Sequence, residues 1–138
     1  MRKLAVFLLA GTLGACATTD NLTDQQKLGL YSSHAGAPVQ KIRYRTPISW
    51  EKVDDSHLLL QLRPTESWLL RLSGPCLDWA ASVPTIVIDS RDQQLTAGFD
   101  TITFNSINAP AAPMSCRIEE IRPVDLDAAR AQRDAMDA

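Results

Sequence analysis

Residues 57–72 read HLLLQLRPTESWLLRL. Leu58, Leu60 and Leu62 recur at every second position against His57, Gln61 and Arg63, a two-residue period that sets them on one face of an extended chain. Arg63-Pro64-Thr65-Glu66 has the composition of a turn. Beyond it, Trp68, Leu70 and Leu72 alternate with Ser67, Leu69 and Arg71. The stretch predicts an antiparallel hairpin with one dry face and one wet face.

The same period extends outward in both directions. Upstream, Ile42 and Tyr44 alternate with Lys41, Arg43 and Arg45, which predicts a half-exposed strand with three cations on its outer face. Trp50 and Val53 then lead to Asp54-Asp55-Ser56, a polar cluster of the kind that makes turns. Downstream, Gly74-Pro75-Cys76 ends the hairpin, and Ile86 and Ile88 mark a strand after Pro84. Ser90-Arg91-Asp92-Gln93-Gln94 reads as a polar turn before a strand at 99–104 rich in β-branched and aromatic residues. After an irregular loop with Pro110 and Pro113, Cys116–Arg122 reads as a last strand, stopped by Pro123. Two helical segments flank the strands. Thr23 and Gln26 have capping-box spacing before Leu28, Leu30 and Tyr31, and His34-Ala35-Gly36-Ala37-Pro38 ends that segment. Asp125 or Asp127 supplies the cap of a weak, Ala-rich helix expected to fray. Short strands, polar turns and no long amphipathic helix predict a mainly β fold. Its form is a small antiparallel sheet curled into a barrel or sandwich of about six strands, with short helical segments at each end.

The chain begins MRKLAVFLLAGTLGAC. Arg2 and Lys3, the apolar run 4–10 and the small residues after it have the three parts of a secretory leader, and the run falls short of the ~20 apolar residues a membrane span needs. Leu13-Gly14-Ala15-Cys16 resembles the bacterial lipobox, in which the Cys thiol is acylated and becomes the mature N-terminus. Each buried lipid CH₂ is worth roughly 0.8 kcal/mol, so two or three chains on Cys16 imply permanent anchoring. Ala17 in place of an acidic residue implies the outer membrane of a Gram-negative cell, periplasmic face. The expected organisation is a leader at 1–15, an acylated tether with a short helix at 16–38, a β-domain at 39–124 and a helical or frayed tail at 125–138.

The 138 residues less the first 15 leave 123, one domain's worth. The 14 basic residues less Arg2 and Lys3, against 16 acidic ones, give a balance of −4, which excludes a general nucleic-acid binder. With Cys16 acylated, Cys76 and Cys116 form an even pair in an oxidising compartment and read as a disulfide, the alternative being two separately buried thiols. His34 and His57 lack metal-ligand spacing, and neither a metal nor a cofactor is expected. Asp54-Asp55-Ser56-His57 holds the residue types of a nucleophilic relay, and Glu119-Glu120 those of a carboxylate pair, but neighbours on a strand diverge. No catalytic residue is assigned. The Lys41, Arg43 and Arg45 face suits lipid phosphates or glycan carboxylates, against its ordinary use in protecting an edge strand.

His34–Val39, Trp50, Asp54-Asp55, Trp68–Leu70, Gly74-Pro75-Cys76, Phe99-Asp100 and above all Cys116–Asp125 together resemble a family of small proteobacterial lipoproteins known only as a domain of unknown function. The resemblance spans about residues 28–125 and implies the lipid anchor, the cysteine pair and a β-rich fold. It implies no activity. The expected function is a non-enzymatic binding or structural module of the cell envelope, with an envelope protein or glycan as partner. A small hydrolase or ligand carrier with a loop-built site is the alternative.

Overall fold

The computed structural model describes residues 22–77, 85–105 and 114–137. In chain order they form α1 (Asp24–Ser33), β1 (Lys41–Arg43), β2 (Ser49–Lys52), β3 (His57–Arg63), β4 (Glu66–Leu72), β5 (Thr85–Asp89), β6 (Gln94–Thr96), β7 (Thr101–Asn105), β8 (Met114–Val124) and α2 (Leu126–Met136). Six strands make one antiparallel sheet, ordered β2-β3-β4-β8-β7-β5 and curled into a half-barrel, and β1 pairs with β6 in a second, two-stranded sheet. The expectation of a mainly β fold with a curled antiparallel sheet of about six strands and a short helix at each end holds, the curl being that of a half-barrel.

The hairpin of β3 and β4 forms in the register its alternation predicts, Leu58 opposite Leu70 and Leu60 opposite Trp68. Leu58, Leu60, Leu62, Leu70 and Leu72 enter the main core with Ile102, Phe104, Ile118 and Ile121. The other face differs from the expectation. Leu59 and Leu69, paired across the hairpin, are only 5% and 3% exposed, because α1 and α2 lie over them with Leu30, Tyr31, Leu126 and Ala129. The face expected to be wet is a second buried layer, so the sheet centre is dry on both sides. Alternation marks which residues share a face but not whether a helix covers the polar-looking one.

Both helices begin with the predicted caps. Thr23 Oγ1 accepts from Gln26 N at 3.2 Å while Gln26 Oε1 accepts from Thr23 N at 2.9 Å, and Asp125 accepts from Ala128 N at 3.0 Å. The C-terminal segment forms an 11-residue helix, and Leu126 and Ala129 pack it against the second core. The short strand β2 has no counterpart in the sequence reading, because four residues beside Pro47 are too few to show a period.

β8 runs on through Pro123 to Val124, although proline was expected to stop it. One edge of its second half pairs with β4, Trp68 opposite Pro123 and Leu70 opposite Ile121. Its other edge takes β7 along the first half and then the segment after α1: Val39 N donates to Ile121 O and Gly36 N to Pro123 O, both at 2.8 Å, and Asp125 N donates to His34 O at 2.9 Å. A full antiparallel pair would return a bond from residue 123 to Gly36 O. Proline lacks that donor, and Arg122 Nε donates to the same carbonyl at 3.0 Å. Glu119 is the extra residue between the pairs Arg71–Glu120 and Leu72–Ile118, a bulge of the kind that bends a strand and lets a sheet curl.

Cys76 and Cys116 are joined in a disulfide with Cα atoms 6.4 Å apart, closing a 40-residue separation between the end of β4 and the first half of β8. On the chain-entropy model a loop of this size restricts the unfolded chain by about 4 kcal/mol.

Two expectations follow from these contacts. A Cβ on Gly36 would lie 2.9 Å from Pro123 Cγ, a ring atom that cannot swing aside, whereas a Cβ on Gly29 in α1 meets nothing within 4 Å. Gly36→Ala should lower stability by about 1–3 kcal/mol through overpacking, and Gly29→Ala should raise it by about 0.5–1 kcal/mol through helix propensity, both read by urea unfolding. The second concerns Tyr31, whose hydroxyl donates to Glu51 Oε2 at 2.9 Å. Burial, then the Glu51 charge and its hydrogen bond, push this phenol from 10.0 up to about 12. The neutral phenol therefore stabilises the fold fully below pH 10, and the contribution is lost as pH rises through 12. Tyr31→Phe should cost about 1 kcal/mol at neutral pH and make the alkaline fall in thermal midpoint shallower.

Candidate functional site

Three chain turns meet beside the two-stranded sheet and leave an open groove of about 560 Å³ lined by Arg43, Tyr44, Arg45, Thr46, Arg63, Glu66, Ser90 and Gln93. Arg43 ends β1, and Tyr44, Arg45 and Thr46 follow it in the connection to β2. Arg63 and Glu66 flank the β3–β4 turn, and Ser90 and Gln93 belong to the turn between β5 and β6. Tyr44 N donates to Gln93 O at 2.8 Å and ties the first wall to the third.

The β5–β6 turn has an uncommon backbone. Asp92 and Gln93 sit at φ 54° and 56°, consecutive left-handed residues, and Gln94 N donates to Arg91 O at 3.0 Å. That is the pattern of a type I′ turn, whose positive φ angles ordinarily select Gly or Asn at the second position. A glutamine there is strained.

Arg43 and Arg45 are exposed, and among the described residues neither has an ion-pair partner. Arg63 Nε lies 3.6 Å from Glu66 Oε2, and Glu66 Oε1 accepts from Trp68 Nε1 at 3.0 Å. The carboxylate is thus pinned from two sides. Burial pushes the Tyr44 hydroxyl up, so it remains a neutral donor at physiological pH. Three guanidinium charges stand against one carboxylate in a wall otherwise made of hydroxyl and amide groups. Such a groove is suited to an anion, and among the described residues none of its hydroxyls is hydrogen-bonded to a base.

The structure divides the three cations read from the sequence. Arg43 and Arg45 share the groove, while Lys41 lines a neighbouring depression with Arg91, Asp92, Phe99 and Asp100. Arg63 takes the third place. It lies 20 residues beyond Arg43, and only its position at the mouth of the hairpin turn hints at the convergence.

The other sequence candidates lie apart from the groove. Asp54 and His57 do meet, His57 Nδ1 donating to Asp54 Oδ1 at 2.8 Å, because residues 53–56 form a turn and not a strand. Ser56 contributes its backbone N–H to the same oxygen at 2.8 Å, so the carboxylate closes the turn. Glu119 and Glu120 engage separate cations, Glu119 accepting from Arg117 Nε at 2.9 Å and Glu120 lying 3.6 Å from Arg71. Among the described residues no group of three His, Cys, Asp or Glu side chains is placed to hold a metal, and no helix is long and apolar enough to cross a membrane. Cys16 lies outside the described residues.

Exposed and unpaired, Arg43 and Arg45 contribute little to the fold. Replacing both by Gln should leave the thermal midpoint within a few degrees, since surface substitutions usually stay within about 0.5 kcal/mol. A large fall would show that they brace the turns.

Residues 1–138 match the family model described as "Family of unknown function (DUF6491)". No curated protein and no solved structure matches the chain.

Proposed function

Since the chain belongs to that family of unknown function, which supplies no activity, we propose from its own residues that it is a lipid-anchored binding module of the bacterial envelope. In this reading it is a small proteobacterial lipoprotein. Cys16 is acylated after removal of residues 1–15, and the folded domain faces the periplasm from the outer membrane. It holds an anionic group, a phosphate or carboxylate of an envelope component, in the groove of Arg43, Arg45 and Arg63. The observation that carries the binding role is that Arg43 and Arg45, from the end of β1 and the connection after it, and Arg63, beside the β3–β4 turn, line one open polar groove. Guanidinium is the side chain best shaped for forked hydrogen bonds to such anions. The anchoring role rests on Leu13-Gly14-Ala15-Cys16 behind a charged and apolar leader.

The test uses the full chain expressed in a Gram-negative host and purified from its membranes in neutral detergent. Intact mass should show a mature form beginning at acylated Cys16. Titration with inorganic phosphate should be saturable and weaken with added salt, and Arg43→Gln with Arg45→Gln should reduce affinity about tenfold or more, the loss expected for charge-assisted bonds. An unmodified Cys16 contradicts the anchor. Absence of saturable phosphate binding, or equal binding by the double variant, contradicts the anion site.

A further inference from the structure

The groove is larger and chemically more mixed than a bare anion requires. Its volume, about 560 Å³, is in the range of sites that enclose whole small molecules, and a phosphate ion would occupy a fraction of it. Guanidinium groups only donate hydrogen bonds and an ionised carboxylate only accepts them, while hydroxyls and amides do both. A carboxylate pinned by Trp68 and Arg63 in the same groove repels a bare anion and cannot turn away from it. It suits a ligand that brings donors beside its negative charge.

Charge balance narrows the anion. Three guanidinium groups against one carboxylate leave two positive charges. A phosphate monoester carries about −1.5 to −2 at neutral pH, whereas a carboxylate carries one charge. Tyr44, packed in part against the main core, also lines the groove, and an aromatic side chain is of the kind that packs against the C–H face of a sugar.

We infer that the groove is a subsite for a phosphorylated sugar, with Arg43, Arg45 and Arg63 on the phosphate and Glu66 and Gln93 on the sugar hydroxyls. This deepens the anion-binding reading above and rests on it. The strained turn supplies an independent reason to place Gln93 in the role. Glycine would occupy φ 56° without strain, yet the position holds a side chain with both a donor and an acceptor, and it lines the groove. The backbone conformation works against the fold at the residue that faces the ligand.

The experiment titrates the acylated full chain, in neutral detergent, with inorganic phosphate, glucose and glucose 6-phosphate. Glucose 6-phosphate should bind at least about tenfold tighter than inorganic phosphate, and glucose alone weakly, as two or three added hydrogen bonds would give. Gln93→Gly should raise the thermal midpoint while narrowing the preference for glucose 6-phosphate over phosphate severalfold, the Glu66 contacts remaining. Glu66→Gln should lower selectivity and strengthen phosphate binding by removing a like charge. A parallel titration with water-soluble, short-chain phosphatidylinositol 4-phosphate separates a lipid-borne polyol phosphate from a free sugar phosphate, the tighter ligand naming the source. Phosphate binding with no gain for either phosphorylated ligand overturns this inference and leaves the anion site standing. No binding of any of the three phosphates overturns both. A Gln93→Gly protein that is more stable and as selective as the unaltered chain removes Gln93 from the role.

Discussion

The domain depends on the backbone pairing of one strand, β8. Its 11 residues present hydrogen-bonding groups along two edges, and three different parts of the chain use them. β7 takes the first half of one edge, β4 takes the second half of the other, and the segment His34–Val39 fills the edge that β7 leaves open. Unpaired groups on a central strand would be costly to bury, so each partner must be present for the sheet to close over its core. The disulfide enters this strand at Cys116, and the bulge at Glu119 turns it between its two sets of partners. The two segments richest in distinctive residues, His34–Val39 and Cys116–Asp125, lie far apart in the chain and side by side in the fold. Gly36 is held to that contact by the ring of Pro123, and Arg122 supplies the donor that proline lacks.

Elements whose signal is local were legible in the sequence. The alternation in HLLLQLRPTESWLLRL set the hairpin and its register, the Thr23–Gln26 spacing set the helix start, and Asp125 set the other cap. Of the three cysteines, Cys76 and Cys116 were the two left to pair once Cys16 was read as the acylation site, and they form the bond that the structure contains. What escaped was non-local. Leu59 and Leu69 look solvent-facing until two helices from opposite ends of the chain cover them. Pro123 looks like a terminator unless its free carbonyl has an acceptor role across the sheet, which Gly36 gives it. Arg63 joins Arg43 and Arg45 only because the β3–β4 turn and the chain at the end of β1 are brought to the same place. Asp54 and His57 meet because the turn that the polar cluster predicts folds the first back onto the second, which no strand period shows.

The groove and the latch answer to different physical demands. Along β8 every distinctive residue satisfies the fold: small where backbones touch, a guanidinium where a donor is missing. Around the groove the residues run against it. Consecutive left-handed residues, two cations without partners and a pinned carboxylate add strain and repulsion that a structural surface does not need. Departures of this kind from local preference concentrate where a protein binds something.

The central structural claim is that the segment after α1 is an integral member of the sheet and not a lead-in lying on it. Native-state hydrogen exchange of the full chain tests it most directly, through the amides of Gly36 and Val39, which donate to Pro123 O and Ile121 O at 2.8 Å. If the segment is integral, both exchange only through global unfolding, with the same opening free energy as the amides of Leu70 and Arg122. Exchange of Gly36 and Val39 at markedly lower opening free energy, with the β4 and β8 amides still protected, would contradict the account.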